Sequence, residues 1–241
     1  MLTKSHIKLI TSLSQKKFRL QHQLFVVEGI KGIQEFLNSS FELYQLFSIE
    51  AVFDAEIITV SHKELQKISS LKTPNTAVAI FKIPIEIQLK HSGLILALDD
   101  VRDPGNLGTI IRLCDWFGIK HLICSKATVD CYNSKVVQAT MGSLTRVHIQ
   151  YVDLENYLKA YQQEIFGTFM EGNPIYTEAL PSEGIIVMGN EANGISTEIE
   201  NLVAKKLSIP RFGMHKATES LNVATAAAIV LSEFKRTSTE T

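Results

Sequence analysis

The stretch ALDDVRDPGNLGTIIRLCDWF, residues 97–117, decides the fold of the longer part of this chain. The apolar run at 94–98 predicts a buried strand, which two acids and an Asp-Pro-Gly turn follow. Asn106 stands where a helix N-cap is expected, and apolar residues then recur at helical spacing as far as Phe117. A buried strand that leads directly into a helix is typical of an α/β fold with a parallel sheet.

Arg112 lies outside the apolar stripe of this predicted helix, near the carboxyl end of the strand before it. Open α/β sheets hold their ligands at that end. Two later segments complete the pattern: VMGNEANGIS at 187–196 and IPRFGMHKATESLNVATAAAIVLSE at 209–233. Taken singly, the glycines of these segments are typical of caps and turns. Together, at three carboxyl-end loops of one domain, they favour a shared pocket.

The composition is that of an ordinary globular protein: 241 residues, of which 45% are hydrophobic and 20% charged. That length suits one large domain or two smaller ones. The formal net charge of −1 gives no sign of a nucleic-acid binder, but residues 1–27 and 205–216 contain basic residues and no acid. Such clusters either bind phosphates or form solvated surface, and charge alone leaves both interpretations open.

Missing motifs narrow the function classes. The sequence has no Rossmann GxGxxG, P-loop, HExxH or serine-hydrolase elbow, and we expect no metal site. The three cysteines lack CxxC spacing, which favours buried thiols over ligands or disulfides. No apolar run approaches the roughly 18 residues of a membrane helix, and the N-terminus has no apolar signal region. We therefore expect a cytoplasmic protein with no membrane association.

Predicted strands and helices alternate along the chain in two units. Residues 1–85 predict a small α/β domain that opens with a basic amphipathic helix over residues 1–22. A stretch with prolines and a glycine at 83–93 predicts the linker. Residues 93–241 predict a larger α/β domain, with a mainly parallel sheet covered on both faces and a last helix over 220–235.

The three segments of the larger domain, in this order, resemble the signature motifs of the SpoU (TrmH-like) family of SPOUT RNA ribose 2′-O-methyltransferases. The resemblance covers roughly residues 93–235. In addition, KKFRLQHQLFVVEGIKGIQEFL at 16–37 and TPNTAVAIF at 73–81 resemble the small substrate-binding domain that precedes many catalytic domains of the family. The resemblance implies a trefoil-knotted parallel-sheet domain that binds S-adenosyl-L-methionine (SAM), preceded by a small α/β RNA-binding domain. The expected substrate is ribosomal or transfer RNA, and the expected assembly a homodimer.

The resemblance also assigns site residues. Matched to the motifs, the backbone of Gly189, Ile209 and Leu221 would hold the adenine and ribose of SAM, and Thr168, expected just after a strand, adds to them. The polar candidates are Asn106, Arg112, Glu191, Ser220 and Asn222. A guanidinium stays protonated in proteins, so we expect Arg112 to stabilise the developing alkoxide and to bind the adjacent phosphate rather than act as a base.

The sequence leaves several of these roles open. Glu191 either orients Arg112 or fixes its loop, and Ser220 and Asn222 open the last helix, so they are expected to cap it as well. The loop 211–219 either contacts RNA or widens the cofactor entrance. The position after Val223 holds Ala224 and Thr225, where the family commonly has a serine, so a hydroxyl role there is in doubt.

Two wider questions also have alternatives. The main rival to the enzyme is a non-catalytic RNA-binding or ribosome-assembly factor that keeps the fold, whereas a base methyltransferase has no support in the motifs. The last helix is apolar on nearly every face, with alanines at 224, 226, 227 and 228. That pattern predicts either a dimer interface or a helix enclosed within one subunit.

Overall fold

The computed structural model describes residues 1–74, 76–85, 92–213 and 220–236. Packing divides them into two units. The first unit contains the described residues up to 85 together with Asp130–Thr145, and the second contains the rest. The predicted boundary at residue 93 assigns residues 130–145 to the second unit, whereas in the structure the chain contributes to the first unit twice.

The first unit is built on a four-stranded sheet in the order β1-β4-β2-β3. β4 pairs antiparallel with β1 and β2, and β3 pairs parallel with β2. The elements are α1 Lys4–Ser12, α2 Lys16–His22, β1 Leu24–Glu28, α3 Ile30–Leu37, β2 Leu43–Ser48, β3 Ile58–Thr59, α4 His62–Ile68, β4 Ala77–Lys82 and, from the second passage of the chain, α6 Ser134–Thr140. Strands and helices therefore alternate along most of this unit.

The predicted single helix over residues 1–22 is wrong, because the helix is interrupted between α1 and α2. The hydroxyls of Ser12 and Ser14 donate to the backbone carbonyls of Leu9 and Thr11 at 2.6 and 2.7 Å. Hydrogen bonds of this kind compete with the helical ladder. Gln15 then begins α2 as its N-cap.

Residues 130–145 join the first unit through a buried ion pair and an aromatic contact. Arg19 is 2% exposed, and its Nη2 lies 2.6 Å from Oδ2 of Asp130. Arg19 also donates to the carbonyls of Leu13 and Ser14 at 2.8 and 2.9 Å. The rings of Phe25 and Tyr132 lie 4.7 Å apart. Arg19, one of the basic residues of the N-terminal cluster, is therefore a core residue rather than a surface cation.

The second unit is built on a six-stranded sheet in the order β10-β8-β9-β5-β6-β7, and every pairing of neighbours is parallel. This confirms the predicted α/β fold with a parallel sheet. The elements are β5 Leu94–Leu98, α5 Pro104–Trp116, β6 His121–Ser125, β7 His148–Val152, α7 Leu154–Ala160, β8 Ile165–Pro174, β9 Gly184–Met188, α8 Thr197–Glu200, β10 Lys205–Ser208 and α9 Val223–Arg236.

The helix that follows β5 begins earlier than the sequence analysis predicted. Its N-cap is Asp103, whose Oδ1 accepts a hydrogen bond from the backbone N of Asn106 at 2.8 Å. Pro104 occupies the first helical position, where its fixed φ and missing N–H are tolerated. The prediction of Asn106 as N-cap is therefore wrong, and Asn106 lies in the first turn with its side chain available for other contacts.

The last helix, by contrast, begins later than predicted. The helix α9 begins at Val223, and Asn222 caps it: its Oδ1 accepts from the backbone N of Ala224 and of Thr225 at 3.0 and 3.2 Å. Ser220 and Leu221 therefore precede the helix. Within the described residues, the helices are all too short or too polar to span a membrane.

Candidate active site

The carboxyl ends of β5, β9 and β10 lie along one edge of the parallel sheet. In the central pair, Leu98 at the end of β5 lies opposite Met188 at the end of β9. The loops that leave these strands contain the three segments singled out in the sequence. Ligands of open α/β sheets bind at this edge.

The loop after β9 is tightly closed. Asn190 and Gly194 exchange two backbone hydrogen bonds of 2.8 and 3.0 Å. The side-chain Oδ1 of Asn190 accepts from the backbone N of Ala192 and Asn193 at 2.8 and 3.1 Å. A Cβ at Gly189 would lie 2.2 Å from the carbonyl carbon of Gly194. Only glycine therefore fits at position 189.

Three residues outside the predicted site, Asp99, Asp100 and Asn190, join this loop to the loop after β5. Asp99 is 7% exposed, and its Oδ2 accepts from the backbone N and the hydroxyl of Ser196 at 2.8 and 2.7 Å. Asn190 donates from Nδ2 to the carbonyl of Asp100 at 2.6 Å. The signal was the pair of acids directly after a buried strand, since acids there need donors from a neighbouring loop.

Three predicted site residues, one from each segment, form a continuous hydrogen-bonded chain. Asn106 donates from Nδ2 to Oε1 of Glu191 at 2.9 Å. Asn222 donates from Nδ2 to Oδ1 of Asn106 at 2.9 Å. Asn222 and Glu191 are exposed and Asn106 is half-buried, so the chain lies at a surface that ligands can reach. The start of α5, the loop after β9 and the start of α9 are thereby held together.

Glu191 fixes the start of α5 and does not contact Arg112 in the described residues. Its two carboxylate oxygens accept from the backbone N of Arg102 and Asp103, both at 3.4 Å, in addition to Asn106. Of the two roles that the sequence left open, these contacts match the fixing of the loop. A carboxylate beside the first turn also interacts favourably with the helix dipole.

Arg112 lies on the exposed face of α5. Among the residues that the structure describes, its guanidinium has no hydrogen-bond or ion-pair partner. A guanidinium offers five N–H donors and is always charged. Arg112 is therefore able to bind an anion without first breaking an internal contact.

The candidate cofactor residues lie on the same edge, with one correction. Ile209 follows β10 and is half-buried, whereas Leu221, two residues before the start of α9, is 48% exposed. Thr168, expected just after a strand, lies within β8, and its hydroxyl donates to the carbonyl of Val187 at 3.3 Å. Ser220 is exposed. In the loop 211–219, His215 and Lys216 lie outside the described residues.

Comparison with family models identifies the family of the domain that contains this edge. A model described as the SpoU rRNA Methylase family matches residues 93–232. The chain belongs to the SpoU family. A second model, described as an MRM3-like substrate binding domain, matches residues 4–79. Both resemblances noted in the sequence are thus confirmed as matches.

Relatives of the SpoU family extend the match to nearly the whole chain. The chain is 30% identical over 230 residues to the 23S rRNA (guanosine(2553)-2′-O)-methyltransferase RlmP of Bacillus subtilis (strain 168), with 91% of each protein covered. A putative RNA methyltransferase of the TrmH family from Porphyromonas gingivalis has 38% identity and a TM-score of 0.89, with 98% of this chain and 99% of that one covered.

A further solved structure of the SpoU fold carries a ligand. The AdoMet-bound rRNA methyltransferase from Sinorhizobium meliloti has 29% identity and a TM-score of 0.86. The match covers 98% of this chain and 96% of that one. AdoMet is another name for SAM, the cofactor that the sequence motifs implied.

Proposed function

We propose that this protein transfers a methyl group from SAM to a ribose 2′-hydroxyl of ribosomal or transfer RNA. The observation that carries the proposal is the hydrogen-bonded chain Glu191–Asn106–Asn222 at the carboxyl edge of a SpoU-family sheet, with Arg112 on the helix that it anchors. The names of the Bacillus and Sinorhizobium relatives support the same reaction and cofactor.

The residues at this edge fit SAM. Leu221 exposes half of an apolar side chain beside the edge, and Ile209 is half-buried after the neighbouring β10, so a flat adenine has apolar surface to cover. The closed loop at Gly189 brings backbone close to the ligand, and Thr168 completes the group. When bound, SAM supplies a methyl group on a positively charged sulfur, which is open to attack by an oxygen.

Arg112 stabilises the ribose 2′-oxygen that attacks the methyl group. Its guanidinium stays protonated, so it stabilises the negative charge that develops on the 2′-oxygen and binds the adjacent phosphate. It does not act as the base; the adjacent phosphate of the RNA would take the proton of the hydroxyl. Asn106 has both ends of its amide engaged, by Glu191 and by Asn222, which fixes the start of α5. Alignment of this kind is a large part of what an enzyme contributes to a displacement reaction.

The first unit is proposed to bind the RNA. Lys4, Lys8, Lys16 and Lys17 are exposed on α1 and α2, whereas Arg19 is not. The match to a substrate-binding domain over residues 4–79 supports this division of labour. Binding through exposed lysines predicts a steep dependence on salt, since each neutralised phosphate releases counterions.

Three further features belong to the same proposal. The trefoil knot is supported by family membership. A homodimer is supported by Trp116, which is 85% exposed on α5 and shares a face with Arg112 four residues earlier. A cytoplasmic location is supported by the buried Cys114 thiol, which suits a reducing compartment.

The proposal is tested by methyl transfer. Purified protein and tritiated SAM are incubated with total RNA from a strain that lacks the protein, and the labelled nucleotide is mapped. We expect one ribose to be labelled, and RNA from the parent strain to accept little. If SAM and RNA both bind but no label is transferred to either RNA, the protein is the non-catalytic rival.

A further inference from the structure

An arginine outside the chain of site residues is held at the same edge of the sheet. Arg102 donates from Nε and Nη2 to the two carboxylate oxygens of Asp100 at 2.8 and 2.7 Å. Its side chain is nevertheless 70% exposed, whereas that of Asp100 is 22% exposed. The carboxylate of Asp100 raises the pKa of Arg102 above its ordinary value. The ion pair thus fixes the orientation of the guanidinium, while the side chain stays largely exposed to solvent.

Asp100 is itself a rigid anchor for this pair. Its backbone has a φ of 59°, in the left-handed region. Its backbone N donates to the hydroxyl of Ser125 at 2.9 Å, and its carbonyl accepts from Asn190 at 2.6 Å. A side chain fixed on such a backbone loses little further entropy on binding. Two of the five N–H donors of Arg102 bind Asp100, and three remain for a ligand.

The surroundings of Arg102 are acidic. Asp99, Asp100, Asp103 and Glu191 all lie in the two loops that meet here, and the backbone N of Arg102 donates to Glu191. An RNA backbone brought to this edge meets four carboxylates. Its phosphates are therefore repelled unless a cation at this edge offsets the carboxylate charge. The ion pair with Asp100 holds the guanidinium of Arg102 at that edge.

We propose that Arg102 binds a backbone phosphate of the substrate RNA, a different phosphate from the one at Arg112. The inference rests on the proposed function. Arg112 lies eight residues into α5 from Pro104, which is about 12 Å along the helix axis at about 1.5 Å per residue. Because Arg102 is anchored to Asp100 before that helix begins, the two guanidiniums suit two separate phosphates of one strand.

The competing explanation is that Arg102 only neutralises Asp100. A double variant separates the two. In Asp100→Asn/Arg102→Gln both charges are removed, and asparagine tolerates the left-handed backbone of position 100. If Arg102 binds phosphate, the double variant recovers only the part of the affinity that the unpaired Asp100 charge had removed, and it still binds RNA more weakly than the wild type. If it only neutralises Asp100, the double variant recovers the affinity of the wild type.

The chain offers a matched control. Lys159 also pairs with an acid, Glu155, at 2.6 Å, and its side chain is 54% exposed. It lies near the end of α7, which leads into β8, and therefore at the amino edge of the sheet, opposite the site. Lys159→Gln removes one positive charge and one exposed ion pair from a place where no RNA is expected.

The experiment measures full-length variants on a 23S rRNA transcript. For Arg102→Gln we expect the RNA KM to rise about tenfold or more, as for a lost charged hydrogen bond, with kcat and SAM affinity little changed. The slope of log K against log salt in equilibrium RNA binding should fall by about 0.7–0.9, the share of one phosphate. Lys159→Gln should match the wild type.

Three results would overturn the inference: an unchanged salt slope in Arg102→Gln, full recovery of the wild-type RNA affinity in the double variant, or an equal loss in Lys159→Gln. The salt slope is an equilibrium measurement. The inference is therefore tested even if the wild type transfers no methyl group, and failure of the proposed function is distinguished from failure of this phosphate contact.

Discussion

At the scale of single residues, the amide of Asn106 joins the three loops. Its Nδ2 donates to Glu191 and its Oδ1 accepts from Asn222, so the amide cannot rotate without losing both bonds. A hydrogen bond to a carboxylate is stronger than one between neutral groups. The start of α5, on which Arg112 is carried, is thus set by a residue that need not touch the reacting atoms.

The variant Arg112→Ala should abolish methyl transfer and leave SAM binding nearly intact, because Arg112 bonds none of the described residues. Arg112→Lys should restore little, since an ammonium does not reproduce the bidentate grip of a guanidinium on phosphate and alkoxide. Single-turnover transfer of tritiated methyl, with calorimetry for SAM, measures both. Loss of SAM binding in Arg112→Ala would move Arg112 from the chemistry to the cofactor site.

Gly189→Ala should lose most of the affinity for SAM. The added Cβ would lie 2.2 Å from the carbonyl carbon of Gly194, so the closed loop has to open. Gly194→Ala is the control: no atom lies within 4 Å of its Cβ, and only its φ of 70° adds strain, about 1–2 kcal/mol. Calorimetry with SAM compares the two. Equal binding by both variants would remove the Gly189 loop from the cofactor site.

At the scale of elements, the sequence correctly predicted the features that depend on residues close to one another in the chain. The strand at 94–98, the helix after it and its apolar stripe were all readable from 97–117, because each depends on neighbours within a few residues. The N-cap was misplaced because Asp103 and Asn106 are both good caps. Pro104 was the signal that should have decided, since proline prefers the position directly after the cap.

The placement of residues 130–145 could not be read in the same way. Their partners, such as Arg19 for Asp130, lie 111 positions away, and periodicity carries no information about that distance. The hydrogen-bonded chain of site residues is a second example. The residue types in it were predictable from the motifs, but its hydrogen bonds join residues that lie 85 and 116 positions apart in the sequence. Contacts of this kind are set by topology.

The variant Arg19→Met tests the contact between α2 and residues 130–145 directly. It leaves Asp130, whose side chain is 13% exposed, without its cation, and breaking a buried pair in this way costs about 3–5 kcal/mol. We expect the midpoint of urea unfolding to fall accordingly. Lys8→Met removes an exposed charge of the same helical region and should change stability by no more than about 0.5 kcal/mol.

The same pair of variants separates structural from RNA-binding charge. Lys8→Met should lower the salt slope of RNA binding, whereas Arg19→Met, measured where it is still folded, should not. Equal stability of the two variants would show that the pair of Arg19 and Asp130 contributes nothing to the first unit.

At the scale of the whole molecule, the chain forms the first unit from two separate segments. A domain boundary drawn at residue 93 leaves Asp130–Thr145 without the residues against which it packs. Among these residues, Cys131, Val136 and Leu144 are buried in the intact chain. Such apolar surface, once exposed, favours aggregation. Measurements of SAM binding are therefore better made on the full chain than on residues 93–241.

The proposed dimer concerns the surface formed by the packed helices α5 and α9. On α9, Ala224 and Ala227 are buried within the subunit, whereas Ala226, Ala228 and Ile229 are half-exposed. The helix α9 is therefore not enclosed within the subunit, and the surface that it exposes to solvent is only partly apolar. Trp116, at 85% exposure on α5, adds the kind of aromatic residue that is enriched at interfaces.

We expect light scattering at micromolar concentration to give twice the chain mass of 26.9 kDa. Trp116→Glu should give monomers with little activity, because an interface over Trp116 brings the partner beside Arg112, one helical turn away. Ala228→Arg should act likewise on α9. Val52→Glu, an exposed apolar position of the first unit, should remain dimeric and active. A wild-type mass of 26.9 kDa with full activity would mean that each subunit completes its own site, and the exposure of Trp116 would then need another explanation.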